Sequence, residues 1–192
     1  MTGGDGAGGP GSPASSVSDA EASRTAPDEH RAEREGRRLA LSAVFEADFG
    51  QRTATRVLER RMADEETGAR AAAHARRLVA AVMRYRDAID ERIEVAAPAF
   101  PVTGLARIDR ALLRSALGEL LHCPTTPARV AISEWVELAR TYSGEPARRL
   151  TNGVLGRVAE GGTGQQAPRR EEDPVGPERQ GADDRPDRRK HR

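Results

Sequence analysis

The chain has 192 residues, and its charges nearly cancel, with 31 Lys or Arg against 30 Asp or Glu. The one cysteine, Cys123, excludes an intrachain disulfide and is typical of a reducing compartment. No apolar run approaches the roughly 20 residues that a membrane-spanning helix needs, and the first residues lack the features of a secretory signal. Composition therefore predicts a soluble, cytoplasmic protein without a membrane partner.

Three segments differ in composition. Residues 1–35 are rich in Gly, Ser, Pro and Ala, and residues 161–192 contain Val175 as their one large aliphatic side chain. Neither segment carries enough apolar surface to offset the entropy of ordering it, so both are predicted to be disordered tails. Residues 36–160 hold more arginines than acidic residues and are long enough for one domain with a core.

The first helix of this domain is predicted within RRLALSAVFEADFG, where Gly50 ends a run with helical spacing of apolar residues. A second helix is predicted over residues 53–66 and a long third one over 69–96. Pro98 and Pro101 end the third helix, because proline lacks the N–H that a helix needs. The apolar residues of the first helix are Leu41, Val44, Phe45 and Phe49.

The segment LARIDRALLRSALGELLHC is predicted to form a central, well-buried helix, because its apolar residues make two adjacent stripes. Asp109 is its predicted N-cap, and Pro124 ends it. Thr126 and Pro127 are predicted to cap and begin the next helix. No segment alternates as a strand would, so the domain is predicted to be all-α.

The last helix, predicted from Pro146 to Glu160 after Gly144, contains Asn152-Gly153 and a second glycine, Gly156. A glycine inside a helix costs about 1 kcal/mol relative to Ala. Its use is to let another group approach closely. That group is either a neighbouring helix, with Asn152 holding a loop, or an external ligand, and the sequence leaves both interpretations open.

Side chains that could carry catalysis or hold a metal are sparse. His122 and Cys123 are adjacent, but no second Cys accompanies them, and a structural zinc site needs about four ligands. Neighbours on a helix point apart, which argues against a Cys–His nucleophile pair. There is also no P-loop or dinucleotide fingerprint. We predict no catalytic residues, no metal, no cofactor and therefore no enzyme.

Several short blocks stand in a fixed order between residues 107 and 159. They are Ile108-Asp109-Arg110, Glu119-Leu120-Leu121, Pro127, Ala131-Ile132, Glu134, Val136-Glu137-Leu138-Ala139 and Asn152-Gly153-Val154-Leu155. Their order and spacing resemble the C-terminal half of the NusB family of bacterial transcription antitermination factors. The helix RRLALSAVFEADFG is also similar to the first helix of that family, with Phe45 at its aromatic position.

The resemblance implies an all-α, NusB-like fold of about seven helices in two packed bundles. It also implies partners: NusE, a ribosomal small-subunit protein, and the single-stranded boxA element of nascent RNA. With them the family helps RNA polymerase, in an antitermination complex, to read through terminators in ribosomal RNA operons. Its RNA contacts come from an Arg-rich N-terminal arm and the start of the Asn-Gly helix. The positions this implies here are Arg34, Arg37, Arg38, Arg148, Arg149 and Asn152.

We expect the first and last helices to pack side by side, so that these groups form one surface. Some residues depart from the family pattern: glutamates interleave with the arginines of the arm, Leu150 replaces an aromatic residue, and Pro146 replaces a residue that is often acidic and bears on NusE pairing. These departures favour an alternative, a NusB-like protein–protein module or divergent regulator without boxA binding. The accessory domain of a ribosomal RNA cytosine methyltransferase and a helix-turn-helix DNA regulator are further alternatives.

Overall fold

The computed structural model describes residues 16–64 and 66–161, with side chains from residue 28 onward in those ranges. They form seven α-helices and a short 3₁₀ turn at Val102–Gly104, with no strand in the described part of the chain. The all-α prediction is therefore confirmed. The helices are α1 (Ser16–Ala47), α2 (Ala54–Asp64), α3 (Ala69–Arg84), α4 (Arg86–Ala96), α5 (Arg107–His122), α6 (Ala128–Ser143) and α7 (Glu145–Gly161).

The helices form two bundles that share one core. Helices α1, α2 and α3 pack on each other, and α4, α5, α6 and α7 make the second bundle. Helix α5 also packs against α1 and α3, and it contributes the fully buried Leu112, Leu113 and Leu117. The prediction that α5 is the central helix is confirmed, because it is the element that joins the bundles.

Helix α1 begins well before the predicted domain boundary at residue 36. Arg70 of α3 bonds Glu29 at 2.8 Å and lies 3.5 Å from Glu33, so ion pairs hold this part of α1 against the first bundle. The overall composition of residues 1–35 gave no indication that this charged stretch belongs to the helix. Residues 1–15 and 162–192 lie outside the described residues, and the predicted tails there stay a prediction.

The long helix predicted over residues 69–96 is wrong, because Tyr85 divides it into α3 and α4. Tyr85 has φ −114° and ψ 21°, outside the helical region. Its ring stacks on His122 with the ring centres 3.8 Å apart, and Asp90 of α4 accepts two hydrogen bonds from Arg114 of α5. The break allows α4 to pack on α5 and α7.

Two predicted helix starts are also wrong in detail. Asp109 is not an N-cap: Ala106 occupies that position, and Asp109 lies in the first turn of α5. There its carboxylate still lies near the positive end of the helix dipole. Pro127, predicted as the first helical residue of α6, is its N-cap, and no side chain caps that end.

Within the described residues, no helix is long and apolar enough to cross a membrane.

Candidate nucleic-acid interface

Arg37 lies inside the protein, with no exposed surface. Its Nε and Nη2 donate to the two carboxylate oxygens of Glu119, at 2.9 and 2.7 Å. A guanidinium held in this way cannot reach a strand at the surface. The prediction that Arg37 contacts RNA is therefore wrong for the folded protein, since the residue has a structural role.

Glu119 is the centre of a buried polar network. Trp135 Nε1 donates to it at 2.6 Å, and His74 Nε2 lies 3.3 Å away. Burial by itself raises the pKa of Glu119, but the adjacent His74 and Arg37 outweigh that effect and lower the pKa to about 2. The network joins α1, α3, α5 and α6, so it holds α1 at a defined position beside α6.

One turn before Arg37, Arg34 extends to the surface of α6. Its Nε and Nη2 donate to Glu134 at 2.8 and 2.7 Å, and its side chain is 55% exposed. This hydrogen bond lowers the pKa of Glu134, against the opposing effect of partial burial. Arg34 is thus placed at the surface, as predicted for an RNA contact, but its guanidinium N–H groups already bind a carboxylate.

The same pattern continues along α6 and into α7. Arg140 donates to Glu137 at 3.0 and 2.6 Å. Arg148 donates to Glu145 at 2.7 to 3.0 Å, and Arg149 lies 3.5 Å from the same carboxylate. These exposed or partly exposed side chains form a surface that we call the Arg–Glu belt: Arg34, Glu134, Glu137, Arg140, Glu145, Arg148 and Arg149.

Glu137 connects the two ends of the belt. The hydrogen bond from Arg140 is the main cause that lowers its pKa, and the charges of Arg34 on α1 and Arg148 on α7 lower it further. The arginines of the first and last helices are therefore close enough to act on one carboxylate. They share a surface although they belong to different bundles.

The expected side-by-side packing of α1 and α7 is nevertheless wrong. Helix α1 packs on α2, α3 and α5, whereas α7 packs on α4, α5 and α6. Helix α6 joins them, since it packs on α7 and receives Arg34 from α1. The positive groups of α1 and α7 thus meet across acidic residues of α6.

The remaining predicted contacts also lie at the surface. Arg38 is exposed and follows Arg34 by four residues, which places both on one side of α1. Asn152 is exposed and follows Arg148 by four residues on α7, and Arg149 is 73% exposed. Five of the six predicted residues are therefore accessible.

The glycines of α7 do not serve a close helix crossing. A Cβ added at Gly153 or Gly156 would meet no described atom within 4 Å other than the chain around it. The interpretation of a tight crossing between helices is therefore wrong. A smooth, open helix face remains, and Gly153 lines a groove on it.

This groove was missed in the sequence. It has a volume of about 790 Å³ and lies between the end of α4, the α4–α5 connection and α7. The run APAFPVTG, with an aromatic residue in an apolar loop, was the available signal, and Phe100 is 52% exposed there. The main apolar lining is Val95, Phe100, Leu105, Pro146 and Leu150.

His122 and Cys123 form no reactive pair with each other. The His122 ring stacks on Tyr85, and burial lowers its pKa. Cys123 is buried, which raises the pKa of its thiol. Among the described residues, no group of three or more His, Cys, Asp or Glu could hold a metal ion.

Residues 34–160 match the model of the NusB family. The transcription antitermination protein NusB of Chloroflexus aggregans is 42% identical over 121 residues, which are 62% of this chain and 81% of that protein. The protein of the same name from Dehalococcoides mccartyi is 37% identical over 126 residues, 66% of this chain and 88% of the relative.

Solved structures agree with these relatives. NusB of T. maritima is 29% identical and superposes with a TM-score of 0.62, covering 67% of this chain and 90% of that one. A structure of the antitermination factors NusB and NusE in complex with double-stranded RNA also has a TM-score of 0.62 and covers 68% of this chain and 98% of that one. At 21% identity, it bears on the fold alone. Since the family match spans α1 to α7 and relatives above 35% identity carry the same name, the chain belongs to the NusB family.

Proposed function

We propose that the protein is an RNA-binding transcription antitermination factor. Together with NusE it binds boxA-type single-stranded RNA and promotes read-through of ribosomal RNA operons as part of an antitermination complex with RNA polymerase. Transcription places this activity in the cytoplasm. The observation that carries the proposal is the shared surface of exposed arginines from α1, α6 and α7 in a chain of the NusB family.

The proposed RNA contacts are the accessible members of the predicted set: Arg34, Arg38, Arg148, Arg149 and Asn152. Arginine suits phosphate because its planar fork donates two hydrogen bonds to one group. Asn152 adds two donors and an acceptor on the same side of α7, which is the chemistry needed for a base edge.

At residue 150 this surface has no aromatic side chain on which an RNA base could stack. An aromatic side chain that stacks on a base contributes about 1–3 kcal/mol, and Leu150 cannot stack. The residue is partly buried and packs against the core beside the groove. We therefore expect recognition to depend more on phosphate contacts and on NusE than in relatives with an aromatic residue.

NusE is the proposed occupant of the groove between α4 and α7. Its walls are mainly apolar, and Val95 and Phe100 are 75% and 52% exposed. Apolar side chains left open in this way favour a protein partner. Asp109 and Arg149 at the groove add charges that can orient it. The groove also contains Pro146, the position that bears on NusE pairing in the family.

The test of the proposed function is a titration with a boxA-type RNA and a scrambled strand of the same length, with and without NusE. We expect tighter binding of the boxA-type strand and a further gain when NusE is present. Absence of binding, or equal binding of both strands with and without NusE, would contradict the proposal.

The glycines of α7 allow a matched test of the groove. Gly153→Ala puts a methyl group on the groove wall and should weaken NusE binding severalfold. Gly156→Ala, three residues along the same helix and outside the groove lining, should not. Equal NusE affinity for both variants would place NusE elsewhere.

The pairing of the arginines with glutamates favours a second candidate, a NusB-like protein–protein module without boxA binding. It predicts that NusE binds while neither RNA strand does. The same titration therefore separates the two functions.

A further inference from the structure

The arginines proposed to contact RNA from the Arg–Glu belt are already bonded to glutamates. Arg34 uses Nε and Nη2 for Glu134, and Arg148 uses Nε and Nη2 for Glu145. These are N–H groups of the kind that a phosphate takes in a bidentate contact. A phosphate and a carboxylate therefore compete for the same donors.

The exchange is feasible because most of these ion pairs face water. The side chains of Arg148 and Glu145 are 37% and 46% exposed, and that of Arg149 is 73% exposed. Water and salt screen pairs of this kind, so they contribute little to folding. A strand that brings several phosphates together can thus replace the carboxylates without unfolding the helix.

Glu145 has the greatest effect on the donors, because one carboxylate engages two arginines. Hydrogen bonding from Arg148 lowers its pKa, and the charges of Arg148 and Arg149 lower it further. Glu137 is a second carboxylate of the belt: it accepts hydrogen bonds from Arg140 at 3.0 and 2.6 Å, and its charge also acts on Arg34 and Arg148. Both carboxylates therefore disfavour phosphate binding at the place where the arginines of α1 and α7 come together.

We infer that Glu145 and Glu137 determine the RNA affinity of this protein by competing with phosphate for the arginines of the belt. The inference rests on the proposed function, since it concerns the same surface. Competition at phosphates acts on any sequence, because phosphate contacts carry no base information. The two glutamates thus lower the sequence-independent part of the RNA affinity.

The test compares the full chain with its Glu145→Gln variant on a short boxA-type single strand and on a scrambled strand. We expect the variant to bind both strands about threefold more tightly at low salt. The salt dependence should also steepen by up to about 0.7 in logarithmic slope, the value for one additional phosphate contact on a single strand. Glu137→Gln should act in the same direction. Unchanged affinity in both variants would overturn the inference.

Glu59→Gln is the matched control for charge. Glu59 accepts two hydrogen bonds from Arg76, both at 2.9 Å, and the pair is about as exposed as that of Glu145, but it joins α2 and α3. The change removes the same charge away from the belt, and we expect no gain. An equal gain would mean that net charge alone matters and would overturn the inference.

A mutant cycle tests whether Glu145 acts through Arg148 and Arg149. In a background with Arg148→Ala and Arg149→Ala, the Glu145→Gln change should no longer raise affinity, because the donors that it frees are gone. A gain that persists there would overturn the inference.

The two hypotheses fail in different ways. If the wild-type chain prefers the boxA-type strand and neither glutamate variant binds more tightly, the proposed function stands and the inference fails. If neither the wild type nor any variant binds RNA, both fail.

Discussion

Arg37 and Arg38 are neighbours in the sequence and have opposite environments. Arg37 is fully buried on Glu119, whereas Arg38 is exposed. A helix turns about 100° per residue, so adjacent side chains face different directions. Arg37 lies four residues before Leu41, on the buried stripe, and that spacing was the signal for its burial. The identity of its partner could not be predicted, because Glu119 is distant in the sequence.

This pair gives a test at the level of single residues. Arg37→Ala should lower the free energy of unfolding by about 3–5 kcal/mol, because it leaves a buried carboxylate without its main partner. Arg38→Ala should change it by less than about 0.5 kcal/mol but reduce the salt slope of RNA binding by about 0.7. Urea unfolding followed by circular dichroism and RNA titration measure the two effects. Similar loss of stability in both variants would contradict the assigned roles.

Glycines in two helices show how the same residue type serves different ends. At Gly36 of α1, an added Cβ would lie 2.8 Å from the backbone oxygen of Ala71, so α1 and α3 cross closely there. At Gly156 of α7 the surrounding space is open. The Asn-Gly inside the helical pattern of α7 predicted the close approach there, whereas Gly36 lies among charged residues that are typical of an exposed helix.

We expect opposite effects of alanine at these two positions. Gly36→Ala should destabilise the protein by about 1–3 kcal/mol, since the backbone of α3 must move to make room. Gly156→Ala should stabilise it by about 0.5–1 kcal/mol, because alanine favours the helix and meets no obstacle. Thermal unfolding measures both. A stabilising Gly36→Ala would show that the α1–α3 crossing is not close.

The division of the predicted long helix depends on packing between helices. No proline or glycine stands near Tyr85, so local propensity favours a continuous helix. The break is instead stabilised by contacts with α5, through the Tyr85–His122 stack and the Arg114–Asp90 pair. Such contacts join residues far apart in the chain, and periodicity does not contain them.

At the scale of the whole molecule, one buried network connects the two bundles. Arg37 and His74 belong to the first bundle, and Glu119 and Trp135 belong to the second. The charged carboxylate between them therefore helps to hold the two bundles in their relative position, together with the core that they share. This position in turn sets where Arg34 meets α6.

The network predicts a pH dependence of folding. The pKa of Glu119 falls from 4.5 to about 2 on folding, so its contribution is fully present above pH 5 and is lost as the pH falls towards 2. A shift of this size corresponds to about 3 kcal/mol. Chemical unfolding of the wild type and of Glu119→Gln across pH 2 to 7 measures it. The variant should be less stable at neutral pH and should lose less stability on acidification; parallel curves for the two proteins would contradict the prediction.

The sequence by itself determined most of the helices, most of their ends and the family. Apolar periodicity, prolines and glycines are local signals, and the ordered blocks from Ile108 to Leu155 are a pattern along the chain. Only the tertiary structure decided which arginines remain at the surface, that α6 rather than direct packing joins α1 to α7, and that Glu134 accepts the hydrogen bonds of Arg34. These outcomes depend on contacts between residues as far apart as Arg34 and Glu134, and such contacts exist only once the two bundles have packed.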